Sequence, residues 1–182
     1  MRSKLTHNAR LGDTVDTGRK DDAHITPQWD LTASRIDGVR VREVRNVVTG
    51  NSITTELFRN DWGIVDGTIQ QVIHVALRGR AISAWHQHRH RWDFLFVVNG
   101  HLRIVLFDPR EQSPTKGQVD VFHLSPARPS LLAVPPWVWH GVQNLSMDPS
   151  SFVNMFDRPY DYADPDEWRL PADSDTIPFR FD

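Results

Sequence analysis

Phe94-Leu-Phe-Val-Val-Asn-Gly-His-Leu-Arg-Ile-Val-Leu-Phe107 decides the fold class. Two runs rich in β-branched and aromatic residues, Phe94–Val98 and Leu102–Phe107, flank Asn99-Gly100. Both residues of such a pair tolerate positive φ, which a two-residue hairpin turn requires. The stretch therefore reads as two antiparallel strands and a tight turn. Further runs repeat the pattern on either side: Val41–Val48, Ile53–Phe58, Thr68–Leu77, Ala81–His88, Val119–Leu124, Leu131–Val134 and Phe152–Phe156. Turn signals separate them, among them Thr49-Gly50-Asn51, Asp66-Gly67, Arg78-Gly79 and Pro126-Ala127-Arg128-Pro129. No apolar stripe of period 3.6 lasts beyond two turns. Only Asp164–Leu170 reads as a short helix, with Asp164 as cap and Pro165 in the first turn. Many short strands without helices imply an all-β sandwich or barrel, and strand count alone does not choose between them.

Composition narrows the function. The chain has 182 residues, enough for one domain with a real core. Its net charge is −2, so no positive field draws it to nucleic acid or an acidic membrane. It has no cysteine, which excludes disulfides, thiolate nucleophiles and sulfur-ligated metals. No apolar run approaches membrane-spanning length and the N-terminus lacks a signal-like apolar segment, so a cytoplasmic protein is expected. Residues 1–38 are polar and aperiodic, an arm expected to be flexible or associated with a dimer partner. Residues 39–182 carry the folded domain.

The richest chemistry lies in Trp85-His86-Gln-His88-Arg-His90-Arg-Trp-Asp93. Residues two apart on a strand share a face, about 7 Å apart, so His86 and His88 point the same way. Asp93 has the opposite parity and joins them only if the chain bends between. His140, in Pro135-Pro-Trp-Val-Trp-His140-Gly141, comes from a stiff strand entry. Three imidazoles and a carboxylate suit one divalent ion, with Fe, Mn, Ni, Co, Cu and Zn not distinguished by the donor set. Taken alone, a His-x-His pair is more often an ordinary strand feature than a ligand pair.

The spacing His86-x-His88, Asp93, Gly100 resembles the first cupin motif, and Pro135-x-Trp137-x-x-His140-x-x-x-Asn144 the second, with Trp137 where glycine is usual. The resemblance implies a double-stranded β-helix, or jelly-roll, cupin barrel with few short helices, binding one divalent metal through His86, His88, Asp93 and His140. A closer resemblance covers about residues 40–182. Asp108-x-Arg110-x-x-Ser113-Pro-Thr115-x-Gly117, then Leu124-Ser125, then Val134–Gly141, then Tyr160, Tyr162 and Ile177–Phe181, is similar to the dTDP-4-dehydrorhamnose 3,5-epimerase family. That family implies jelly-roll dimers that epimerise a 4-keto sugar nucleotide with a histidine base and a tyrosine acid, without a metal.

Several positions depart from this pattern. The base histidine falls on His86. The two phosphate-binding cations fall on Ser83 and Asp93, and a carboxylate at contact repels a diphosphate by roughly 1 to 4 kcal/mol. The tyrosine acid falls on Val153 or Asn154, and the carboxylate that orients the base falls near Ser174.

Two functional readings follow. The first is a metal-dependent cupin enzyme that enolises or isomerises a small carbonyl or sugar-derived substrate, the metal doing as Lewis acid what the lost tyrosine did. In it His86 is either ligand or base, not both at once. The alternative is a metal-independent dTDP-4-dehydrorhamnose 3,5-epimerase-type isomerase, or a non-catalytic sugar-binding cupin. Tyr160 is a candidate replacement acid. Arg78 and Arg103 are candidate contacts for an anionic ligand, and Trp85 and Trp139 candidate stacking walls, although core packing is the commoner fate of tryptophan. The partners expected are a small molecule and a second copy of the chain.

Overall fold

The computed structural model describes residues 25–27, 34–64 and 67–182. Most of the arm read from the sequence, residues 1–24 and 28–33, lies outside them. The chain divides between Thr32 and Ala33. Residues 34–38, assigned to the arm by their polarity, are bonded to the folded domain. The Asp120 carboxylate accepts from Ser34 Oγ at 2.6 Å and from the Arg35 amide at 2.7 Å, and Arg110 Nη2 donates to the Asp37 carbonyl.

The strands are β1 (Arg40–Glu43), β2 (Asn46–Val48), β3 (Ile53–Thr55), β4 (Gln71–Leu77), β5 (Ile82–Gln87), β6 (Asp93–Asn99), β7 (Leu102–Phe107), β8 (Val119–Leu124), β9 (Ser130–Val134), β10 (Trp139–Asn144), β11 (Ser150–Phe156) and β12 (Trp168–Arg169). They build two antiparallel five-stranded sheets, β1-β9-β6-β11-β4 and β12-β5-β10-β7-β8, plus the β2–β3 hairpin. The architecture is the jelly roll expected. The β6–β7 hairpin turns at Gly100, where φ is +79° and an added Cβ would lie 1.9 Å from Ser150 Oγ. Among the described residues the only helical turn is a 3-10 turn at Asn60–Trp62, and no helix is long and apolar enough to cross a membrane.

Asp164–Leu170 is not a helix. Trp168 and Arg169 pair with Gln87 and His86, and Leu170 exchanges backbone bonds with Trp85. Sheet pairing overrides the N-terminal helix signal there. Strand β10 carries no strand signal of its own, because Trp-His-Gly-Val-Gln-Asn has little β-branched content.

The central strands are covered on both faces, which is why β6, β7 and β9 read as near-continuous apolar runs. Between the sheets lie Leu95, Val97, Ile104, Leu106, Leu132, Val142 and Phe152. On the outer face of the first sheet, Phe94, Phe96, Leu131 and Met155 are covered by Leu57, Phe58 and Trp62. On the outer face of the second, Trp85, Val105 and Phe107 are covered by Ile177, Phe179 and Phe181. Alternation then fixes what points inward at the end of the barrel where β5 and β11 finish and β6 and β10 begin. That end carries His86, His88, Asp93, His140 and Asn154 above the apolar floor of Leu95, Val142 and Phe152.

Candidate active site

The β5–β6 turn answers the parity objection to Asp93. Residues 88–92 leave the ladder, and β6 restarts with Asp93 on the same inward face as Leu95 and Val97. Asp93 is 2% exposed, and its Oδ2 lies 3.3 Å from His88 Nε2. His140 Nε2 stands 3.9 Å from Asp93 Oδ1, and Asn154 Nδ2 donates to Oδ1 at 2.8 Å. His88 Nδ1 donates to the Asp166 carbonyl at 2.5 Å, so both of its nitrogens face acceptors. Burial works against an imidazolium there, but the Asp93 charge outweighs it and raises the His88 pKa above its ordinary value.

His86 is set apart from this trio by a bulge. His140 pairs with His86, but Val142 pairs with Ser83, so three steps of β5 match two of β10. Ala84 and Trp85 both go to the outer face, and Ser83 returns to the inner face. Ser83 Oγ therefore lies 3.0 Å from His86 Nε2. Gly141 makes the bulge possible: a Cβ there would sit 2.7 Å from the Ala84 Cβ and 2.8 Å from the Phe181 ring. The His86 and His140 rings stack at 5.9 Å. Burial, then the positive charges of its histidine and arginine neighbours, push His86 down to about 3. Burial likewise lowers His140. The His86 imidazole is thus neutral at neutral pH, while the Asp93 carboxylate lies against His88 and favours its protonated form.

The ion pair predicts an acid transition. Burial tends to raise Asp93, and the imidazoles of His140 and His88 more than offset it, holding the carboxyl at about 2. A depressed carboxylate stabilises the fold above its unfolded value of about 4 and loses that contribution as pH falls toward 2. The share at stake is about 2 kcal/mol. Carbon-detected NMR of the Asp93 carboxyl is expected to give a midpoint near 2, with a matching loss in urea stability below pH 4. An ordinary midpoint near 4 would show that the pair does not form.

The other expected contacts distribute differently. Trp85 is fully buried against Phe179 and Phe181 and is core, not a ligand wall. Trp139 shares that outer face, because it alternates with the inward His140. Arg78 follows Leu77, which pairs with the start of β11, at the opposite end of the barrel from the histidines. Arg103 lies toward the same far end, bonded to Gln143 Oε1 at 3.1 Å and to the Asp182 carboxylate. Neither arginine belongs to the histidine cluster.

Tyr160 lies at the histidine end. Its amide donates to Gln71 Oε1, its ring stands 5.8 Å from the Arg91 guanidinium, and it lines a cavity of about 1000 Å³ with Thr68, Gln70, Arg91, Tyr162 and Asp166. The cavity lining does not include His86 or His140. It approaches the cluster through Asp166, whose carbonyl holds His88. Ser83, Asn154 and Asp166 are the site contributors that the sequence did not single out as such. Inward parity on β11 could have flagged Asn154. Nothing local announces the bulge that recruits Ser83.

A jelly-roll barrel with three histidines and a buried carboxylate gathered at one mouth is a cupin. The profile of the dTDP-4-dehydrorhamnose 3,5-epimerase family matches residues 34–178, and the chain belongs to that family of isomerase-type enzymes. The spore coat polysaccharide biosynthesis protein SpsL of Bacillus subtilis (strain 168) is 34% identical over 146 residues, covering 80% of this chain and 96% of its own length. A probable low-salt glycan biosynthesis epimerase, Agl13, of Haloferax volcanii is 30% identical over 139 residues, 76% of this chain and 89% of that protein. A dTDP sugar isomerase from Desulfovibrio desulfuricans G20 superposes with a TM-score of 0.74 at 27% identity, over 79% of this chain and 90% of that one.

Membership overturns the expected divalent metal, because enzymes of this family epimerise without one. The proposed four-ligand set also does not assemble. His88, Asp93 and His140 bring donor atoms within 4.8 Å of one another, but His86 stands outside the group on Ser83. The trio is instead knit by hydrogen bonds to Asp166 and Asn154 and by the His88–Asp93 pair.

Proposed function

We propose that the chain epimerises a nucleotide-linked 4-keto sugar, with His86 as the base. The observation that carries this is the neutral imidazole of His86, partly open at the mouth and fixed by Ser83. His86 takes the proton from a carbon next to the ketone, and the electron pair moves into the C4 carbonyl as an enolate. Reprotonation on the opposite face inverts the carbon. Tyr160 is the phenol proposed to return that proton; Tyr162, the chain's other tyrosine, is 89% exposed. Water then reprotonates the phenolate, and the hydroxide so formed takes the proton from His86, which restores both groups.

The test is solvent deuterium uptake at C3 and C5 of dTDP-4-keto-6-deoxyglucose. Wild-type protein is expected to incorporate deuterium at one or both carbons and to release an epimer. Tyr160→Phe is expected to lose epimer formation by about 100-fold or more while keeping exchange on the abstraction face. No exchange at stoichiometric enzyme would refute the reading. A homodimer is also proposed. It is supported by two exposed apolar edges, Val47, Val48 and Ile53 on the β2–β3 hairpin and Val72 and Ile73 on edge strand β4.

A further inference from the structure

Arg89 sits in the turn after β5, one residue beyond His88. The turn is pinned, because the Arg89 and His90 amides donate to the Asp166 carboxylate at 2.9 and 2.8 Å. The Arg89 guanidinium lies 3.2 Å from the ring centre of Trp168 and 4.7 Å from that of Trp137. Its Nε is buried and has no hydrogen-bond partner. Among the described residues no carboxylate pairs with it. Asp166 is spent on backbone amides, and Glu167 is taken by Arg91 and Arg169.

The two indoles are held at some cost. Trp137 has φ +69°, a left-handed backbone that costs a bulky residue on the order of 1–3 kcal/mol. It is fixed there by its amide on the His88 carbonyl at 2.7 Å and its carbonyl on Gln87 Nε2 at 2.8 Å. Trp137 and Trp168 each leave 42% of their surface exposed. Arginine retained only for structure is normally given an acid, and tryptophan retained only for packing is normally buried. Here a strained, exposed indole and a second exposed indole instead clamp a cation that has no counter-ion. A guanidinium flanked by aromatic faces cannot swing away, and its planar fork matches phosphate oxygens two at a time.

We propose that Arg89, clamped between Trp137 and Trp168, binds the diphosphate of a sugar nucleotide at the barrel mouth. The proposal rests on the epimerase reading and deepens it. Ser83 and Asp93 stand where that substrate would otherwise meet cations, so its charge needs another partner, and Arg89 supplies one from the turn that joins His88 to Asp93.

Titration calorimetry of the full chain with dTDP, UDP and inorganic pyrophosphate tests it. Arg89→Gln is expected to weaken dTDP binding by about 10- to 100-fold, the size of a charge-assisted bidentate contact. Arg89→Lys keeps the charge but loses the fork and the stacking, and is expected to recover only part of the affinity. Trp137→Gly suits the left-handed turn, so it keeps the fold while removing one wall, and a loss of about 3- to 10-fold is expected. At saturating substrate, Arg89→Gln is expected to raise KM with kcat within about twofold of wild type. Unchanged dTDP affinity in Arg89→Gln, or a wild type that binds none of the three probes, overturns the proposal. Deuterium uptake by wild type is read separately: exchange without an Arg89 effect sinks only this site, and an Arg89 effect without exchange sinks only the epimerase reading.

Discussion

His86→Gln is expected to lower deuterium uptake and turnover by about 10²- to 10⁴-fold, the range for loss of a positioned base. Glutamine keeps a polar group facing Ser83 but has no basic nitrogen. The substitution removes no core contact, so folding is expected to survive, with urea midpoints close to wild type. The pH profile sharpens the test. Burial and the cationic side chains around it hold His86 down to about 3, so the free enzyme keeps a neutral base far below the ordinary histidine range. The acid limb of kcat/KM is therefore expected below pH 5, whereas a solvated histidine would place it near 6.5. A variant within tenfold of wild type, or an acid limb at 6.5, would remove His86 from the role assigned to it.

Asp108→Ala is expected to have the largest effect on stability. The Asp108 side chain is fully buried and accepts from the Arg110 amide at 3.1 Å, Arg110 Nε at 2.7 Å, Arg110 Nη2 at 2.9 Å, Ser113 Oγ at 2.5 Å and Thr115 Oγ1 at 2.7 Å. Burial opposes its charge, yet Arg110 and the two hydroxyls hold its pKa well below the usual carboxylate range. Truncation strips the acceptor from three side chains and leaves a partly buried guanidinium unpaired. Breaking a buried pair from one side costs about 3–5 kcal/mol, which for a chain of this length lowers Tm by on the order of 10 °C. Denaturant titration measures it directly. A loss below about 1 kcal/mol would mean that the loop from Asp108 to Gly117 is not a stability centre.

The same loop shows what the residue pattern can carry. Asp-x-Arg-x-x-Ser-Pro-Thr-x-Gly is legible because Arg110, Ser113 and Thr115 are all local partners of Asp108, and Gly117 takes the positive φ that closes the turn. The hairpin at Gly100 and the strand limits of β7 and β8 are legible for the same reason: short-range chemistry fixes them. The bulge in β5 is not. It depends on Gly141 in another strand and on Phe181 near the end of the chain, contacts no local pattern displays. That one missing fact led to four ligands where the fold assembles three groups and holds His86 aside. The place of Asp166, inside the expected Asp164–Leu170 helix, is not legible either. As part of a helix start it would be solvated, but the β12 pairing turns it into the clasp of the β5–β6 turn.

The extra residue in β5 is what lets Ser83 and His86, three positions apart, share one face. Were the ladder closed without a bulge and every residue kept, the frame beyond His86 would slip by one position, carrying the Ser83 hydroxyl to the greasy exterior and bringing the Ala84 methyl in beside the imidazole. The reading frame of a single ladder thus decides what the base leans on.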